Sequence, residues 1–101
     1  MPPITEEELR LRILHLLAKP PRKGTSVWGT HKSIVQEAIS AVSERDIDVN
    51  IAYLARNGLV KLIQVHGADW LWAKITPVGL DVLRDPARYE ERYPFVSAAL
   101  K

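Results

Sequence analysis

Arg45, Asn50, Tyr53 and Arg56 fall on one amphipathic segment, and side chains of these types can meet the edges of nucleobases. Arginine can bond guanine, and small apolar groups such as Val49 and Ala52 between them can meet a thymine methyl. His31, Lys32, Lys61 and Lys74 lie before and after this segment and carry the groups that hold phosphates. The same mixture suits a protein interface, where tyrosine and arginine are favoured anchors.

Other chemistry is poorly represented. The histidines are His15, His31 and His66, in three different predicted elements, and there is no cysteine. Neither a thiolate metal site nor a disulfide framework can form, and the histidine spacing matches no zinc motif. The serines lack a GxSxG context and the glycines lack a phosphate-loop pattern. Paired acids such as Glu6-Glu7-Glu8 sit where a helix begins, and capping accounts for them. The expectation is a chain that is not an enzyme and uses no cofactor and no metal.

The elements that position these residues follow from caps and periods. Ile47, Ile51, Leu54 and Ala55 recur at helical spacing, which predicts a helix over 43–57 with one buried face. Ser43 is its N-cap. Gly58 suits a left-handed position after the last turn, with Leu59 returning onto Leu54 as in a Schellman ending. On the wheel, Arg45, Val49, Ala52, Tyr53 and Arg56 lie opposite the buried stripe. Val60 to Val65 and Trp70 to Ile75 read as strands joined by the turn His66-Gly67-Ala68-Asp69. Thr76 then caps a further helix that takes Pro77 in its first turn.

Upstream, Thr5-Glu6-Glu7-Glu8 is a capping box, with Ile4 and Leu9 as its hydrophobic staple. Leu9, Ile13, Leu16 and Leu17 give that first helix its core face, widened by Leu11 and Leu14, and Pro20-Pro21 ends it. Thr25 to Trp28 is a candidate short strand. A second helix is predicted from His31 to Val42, buried through Val35, Ala38, Ile39 and Val42.

The stretch from Ile51 to Val60, ending in Gly58-Leu59-Val60, and the stretch Ile75-Thr76-Pro77-Val78-Gly79-Leu80 carry a resemblance. Together they resemble winged helix-turn-helix transcriptional regulators of the broad MarR, PadR and ArsR-like type. The order of elements is also similar to small winged-helix proteins of Mu-like phages. The resemblance covers about half the chain and implies an α+β, mostly α fold. That fold would be a three-helix core, a small antiparallel β-wing and a C-terminal helix. It also implies a function: double-stranded DNA bound through the helix over 43–57 in the major groove, for transcription regulation.

Bulk properties fit one domain over 1–101, with a core over 5–84 and a C-terminal helical or dimerisation segment over 85–101. The chain has 101 residues, 47% of them hydrophobic. No apolar run reaches the roughly 18 residues of a membrane span. The N-terminus has no signal-peptide pattern, and with the absence of cysteine this leads to an expected cytoplasmic location. Net charge is only +2, but Lys19, Arg22, Lys23 and Lys32 outnumber Glu37 over 19–42. That local excess reads either as a solvated loop or as a phosphate-contact region.

Two questions stay open at this level. The first is the partner: a winged-helix protein-interaction module fits the acidic start of the third helix, the small net charge and the tryptophans as well as DNA does. Trp70 and Trp72 are expected to share one face of a strand, with Trp28 across from them, as packing. The second is the tail: Tyr89, Tyr93, Phe95, Val96 and Leu100 either fold back as core or form a homodimer through Tyr89, Tyr93 and Phe95.

Overall fold

The computed structural model describes residues 4–19, 25–26, 29–39, 42–64 and 69–96. Its elements in chain order are α1 (Glu6–Ala18), β1 (Thr25–Ser26), β2 (Gly29–His31), α2 (Lys32–Ala38), α3 (Glu44–Arg56), β3 (Val60–Gln64), β4 (Trp70–Ile75), α4 (Pro77–Arg84) and α5 (Pro86–Tyr89). The fold is α+β and mostly helical. A small antiparallel sheet, ordered β1-β2-β4-β3, covers one side of the helices.

Local signals set the helix ends. Thr5 Oγ1 accepts from the Glu8 amide at 3.1 Å and Ser43 Oγ from the Asp46 amide at 3.2 Å, so both predicted N-caps form. Gly58 has φ of +76°, and its amide donates to the Ala55 carbonyl while the Leu59 amide donates to the Leu54 carbonyl. That is the full Schellman pattern, with Leu54 and Leu59 both buried.

The Thr-Pro-Val-Gly stretch is a joint. The Thr76 hydroxyl donates to the Gly58 carbonyl at 2.6 Å and accepts from the Gly79 amide at 3.1 Å. A Cβ on Gly79 would fall 2.4 Å from the Leu59 carbonyl oxygen. Glycine is therefore what lets α4 sit directly on the turn that ends α3.

Helix α2 is shorter than its periodicity suggests. It stops at Ala38, and Ala38 is exposed while Val35 and Ile39 are buried. His31 caps it instead of lying inside it: Nδ1 accepts from the Ser33 amide at 3.1 Å. Strand β2 just before it has no signal in the sequence pattern, and it joins the hairpin through Thr30 opposite Ala73 and His31 opposite Trp72. Of the strand expected over 25–28, residues 25 and 26 form β1; Trp28 and the turn residues His66, Gly67 and Ala68 lie outside the described residues.

The pairing of β3 with β4 corrects the reading of the tryptophans. Ile63 lies opposite Trp72 but Gln64 lies opposite Trp70, a register shift that leaves Leu71 without a partner on β3. A bulge of this kind reverses which face the next residue takes. Trp70 is buried and its Nε1 donates to Asp48 of α3 at 3.0 Å. Trp72 lies on the other face, edge-on to the His31 ring at 4.9 Å.

One buried cluster runs from Leu9 to Val96. It includes Tyr93, Phe95 and Val96, so the core extends past residue 84. Tyr93 and Phe95 are therefore not free to form a homodimer. Phe95 is 1% exposed and meets the Tyr53 ring edge-on at 6.1 Å, and Tyr89 stacks on Tyr93. A single chain already covers Tyr93, Phe95 and Val96, which removes the reason for a partner at those residues. Tyr89 is partly buried, and its hydroxyl donates to Asp81; that hydrogen bond, and then burial, raise the phenol above its ordinary pKa. Leu100 lies outside the described residues. No helix among the described residues is long and apolar enough to cross a membrane.

Candidate nucleic-acid interface

Helix α3 is held on three sides, and this decides which of its side chains face out. Ile47, Ile51 and Leu54 enter the core. On one flank Arg10 of α1 reaches across. Its Nε donates to Asn50 Oδ1 at 2.9 Å, its guanidinium lies 3.7 Å from the Tyr53 ring centroid, and Glu6 pairs with it at 3.7 Å. On the other flank Asp48 accepts from Trp70 and pairs with Lys32 at 3.7 Å, while Lys32 Nζ lies 5.2 Å over the Trp70 ring.

These two braces change the set of candidate contacts. Asn50 is 2% exposed, and its Nδ2 donates to the Asp46 carbonyl at 2.8 Å. Its amide is used on both sides, so it is a buried brace and not a base-reading group. Tyr53 is partly buried between Arg10 and Phe95 and is likewise packing. Lys32 has a side chain only 20% exposed and a carboxylate partner, so its charge is largely neutralised. His31 accepts from the Ser33 amide through Nδ1 and packs edge-on against Trp72, so its ring is engaged by the fold at the start of α2.

Arg45 and Arg56 remain. Both are exposed, and neither forms an ion pair or an aromatic contact among the described residues. Val49 and Ala52 lie between them on the same helix face, and Val49 is 52% exposed. At about 1.5 Å rise per residue, the two arginines are separated by about 16 Å along the axis. The acids of the first turn have a local role: Glu44 and Asp46 stand at the positive end of the helix dipole, beside the Ser43 cap. The sequence puts acid at the start of this helix, but Asp48 already has two partners.

Lys61 and Lys74 are exposed and directly opposite each other across β3 and β4. Like charges in this arrangement cost stability, on the order of a few tenths of a kcal/mol. A pair kept in spite of that cost suits an anionic partner. Lys61 is five residues from Arg56, so the chain holds their Cα atoms within about 17 Å of each other.

Comparison of the chain with protein-family models, with curated proteins and with solved structures found no match. Among the described residues, no group of three or more histidines and acids is placed to hold a metal ion. The geometry of α3 and its neighbours is therefore the basis for reading a function.

Proposed function

We propose that the chain is a winged-helix protein that binds double-stranded DNA and acts as a transcriptional regulator. In this reading α2 and α3 form the helix-turn-helix and the β3–β4 hairpin is the wing. Helix α3 enters the major groove through Arg45, Val49, Ala52 and Arg56, while Lys61 and Lys74 hold phosphates. The observation that carries it is the outward stripe of α3. Two guanidiniums with no ion pair among the described residues bracket an exposed valine on a helix braced from both flanks. Val49 leaves about half of a β-branched side chain open to solvent between the two arginines. Guanine edges and thymine methyls match it.

The sequence-specific part then rests on four side chains, fewer than the sequence suggests, because Asn50 and Tyr53 serve the fold. The like-charged lysine pair supports phosphate binding independently of α3. A salt titration of duplex binding, with Arg45→Ala and Arg56→Ala compared against wild type, tests the proposal.

A second reading, a protein-interaction module, draws on a different surface. Val78 and Leu80 on α4 are exposed and line a recess with Pro77, Arg84 and Tyr89. Loss of binding to a partner protein on Leu80→Ser, with duplex binding absent in the wild type, would favour it.

A further inference from the structure

The fold engages Lys32 and His31 of the basic stretch over 19–42, but positive charge gathers nearby in a place that the sequence pattern does not mark. Arg12, His15 and Lys19 follow one another at i, i+3 and i+7 on α1 and its C-cap. With Leu16 they face Ala38 of α2 and its C-cap Ile39 across a groove of about 260 Å³. All three polar side chains are exposed. None forms an ion pair among the described residues, and no acid lines the groove. The acids nearest in sequence are Glu8, one turn before Arg12, and Glu37 beside Ala38; both are exposed, and neither lines the recess. The helix dipole accounts for a cation in the last turn of α1. It does not account for Arg12 or for a recess lined by two cations, an imidazole and no anion.

We infer that this groove seats phosphate groups of the nucleic-acid backbone, as a second contact beside the α3 stripe. The inference rests on the DNA-binding reading and adds a site to it. Connectivity supports the placement. Ile39 lines the groove and Arg45 starts the stripe, and the chain between their Cα atoms spans at most about 21 Å. One helical turn of duplex is about 34 Å. The groove and the N-terminal end of α3 therefore lie closer together than one turn of duplex, a spacing that one bound duplex can bridge. The groove lies on the α2 side of α1, and Arg10, which holds α3, turns to a different side. Substitutions in the groove thus leave the α3 brace intact.

The test is a fluorescence-anisotropy titration of the full chain with a labelled random duplex of about 30 base pairs, repeated over a range of salt. Arg12→Ala/Lys19→Ala should weaken binding at least tenfold. It should also flatten the log–log salt slope by about 1.8, at about 0.9 for each phosphate no longer neutralised. Its thermal midpoint should match wild type, because both side chains are exposed. Arg12→Lys/Lys19→Arg should restore the slope. If wild type binds with an affinity that depends on Arg45 and Arg56, yet the double alanine variant keeps the full slope, the groove is wrong and the α3 reading stands. If wild type binds no duplex at about 50 mM salt, both are wrong. A double variant that melts early, with a charge-preserving variant that melts early too, would show the groove to be structural and overturn the inference.

Discussion

Replacing Asn50 with alanine separates two roles that the sequence alone does not distinguish. As a base-reading residue, Asn50 should affect sequence preference and leave stability almost untouched. In the structure it is a buried brace, so the expected effect is the reverse. The variant loses the Nδ2 hydrogen bond to the Asp46 carbonyl, a neutral bond of about 1 kcal/mol, and the Oδ1 bond from Arg10. A bond to a charged donor contributes about 1.5–3 kcal/mol. The lower end applies, because Arg10 keeps Glu6 and the Tyr53 ring. Alanine's higher helix propensity offsets roughly 0.6 kcal/mol. The net loss is about 2 kcal/mol, which for a domain of this size lowers the melting midpoint by about 8–16 °C. Urea unfolding followed by circular dichroism measures it directly. Combining Asn50→Ala with Arg10→Ala should cost less than the two single losses added together, since the bond between them is counted in each. A midpoint within about 2 °C of wild type, together with an altered base preference, would refute the bracing role.

Three further expectations concern other parts of the fold. A Cβ at Gly58 meets no non-neighbouring atom, but Gly58→Val forces a β-branched residue to φ of +76°, so it should destabilise by more than about 1 kcal/mol; an unchanged midpoint would mean the turn relaxes freely. Lys61→Glu replaces a like-charged cross-strand pair with an opposite one, so it should hold or raise thermal stability while weakening duplex binding; lower stability would show the lysines are not in repulsion. Phe95→Ala should cost about 3–5 kcal/mol and leave the oligomeric state in light scattering unchanged, because Phe95 is core; a stable variant with an altered oligomeric state would restore the tail as an interface.

What the sequence made legible was local. Thr5, Ser43 and Thr76 cap helices through amides three residues away, and Gly58 marks a turn whose helix-closing bonds reach back no more than five residues. Such signals survive without tertiary context. What the sequence leaves illegible is set by contacts between distant segments. Asn50 lies at the edge of the buried stripe, and its partner Arg10 is forty residues away. The wheel could not assign it to the core. The slip at Gln64 opposite Trp70 changes the face of a tryptophan without changing the alternation in sequence. The helical period of α2 continues to Val42, yet His31 is its cap and the helix ends at Ala38. The tail is legible as a surface needing cover; that its own chain covers Tyr93 and Phe95 depends on where they meet Tyr53 and Asn57 at the end of α3. The groove between α1 and α2 was invisible for the same reason. Arg12, His15 and Lys19 look like a solvated helix face until α2 is set beside them.

Salt-dependent duplex binding by the full chain, measured side by side for wild type, Arg45→Ala and Arg56→Ala, tests the central claim most directly. Wild type should bind at about 50 mM salt with an affinity that falls steeply and linearly on a log–log plot. Each arginine variant should bind more weakly by about 1–3 kcal/mol and discriminate less between sequences, with its melting midpoint unchanged because both side chains are exposed. Wild-type protein that fails to bind at that salt, or variants that bind as tightly and as selectively as wild type, would contradict it.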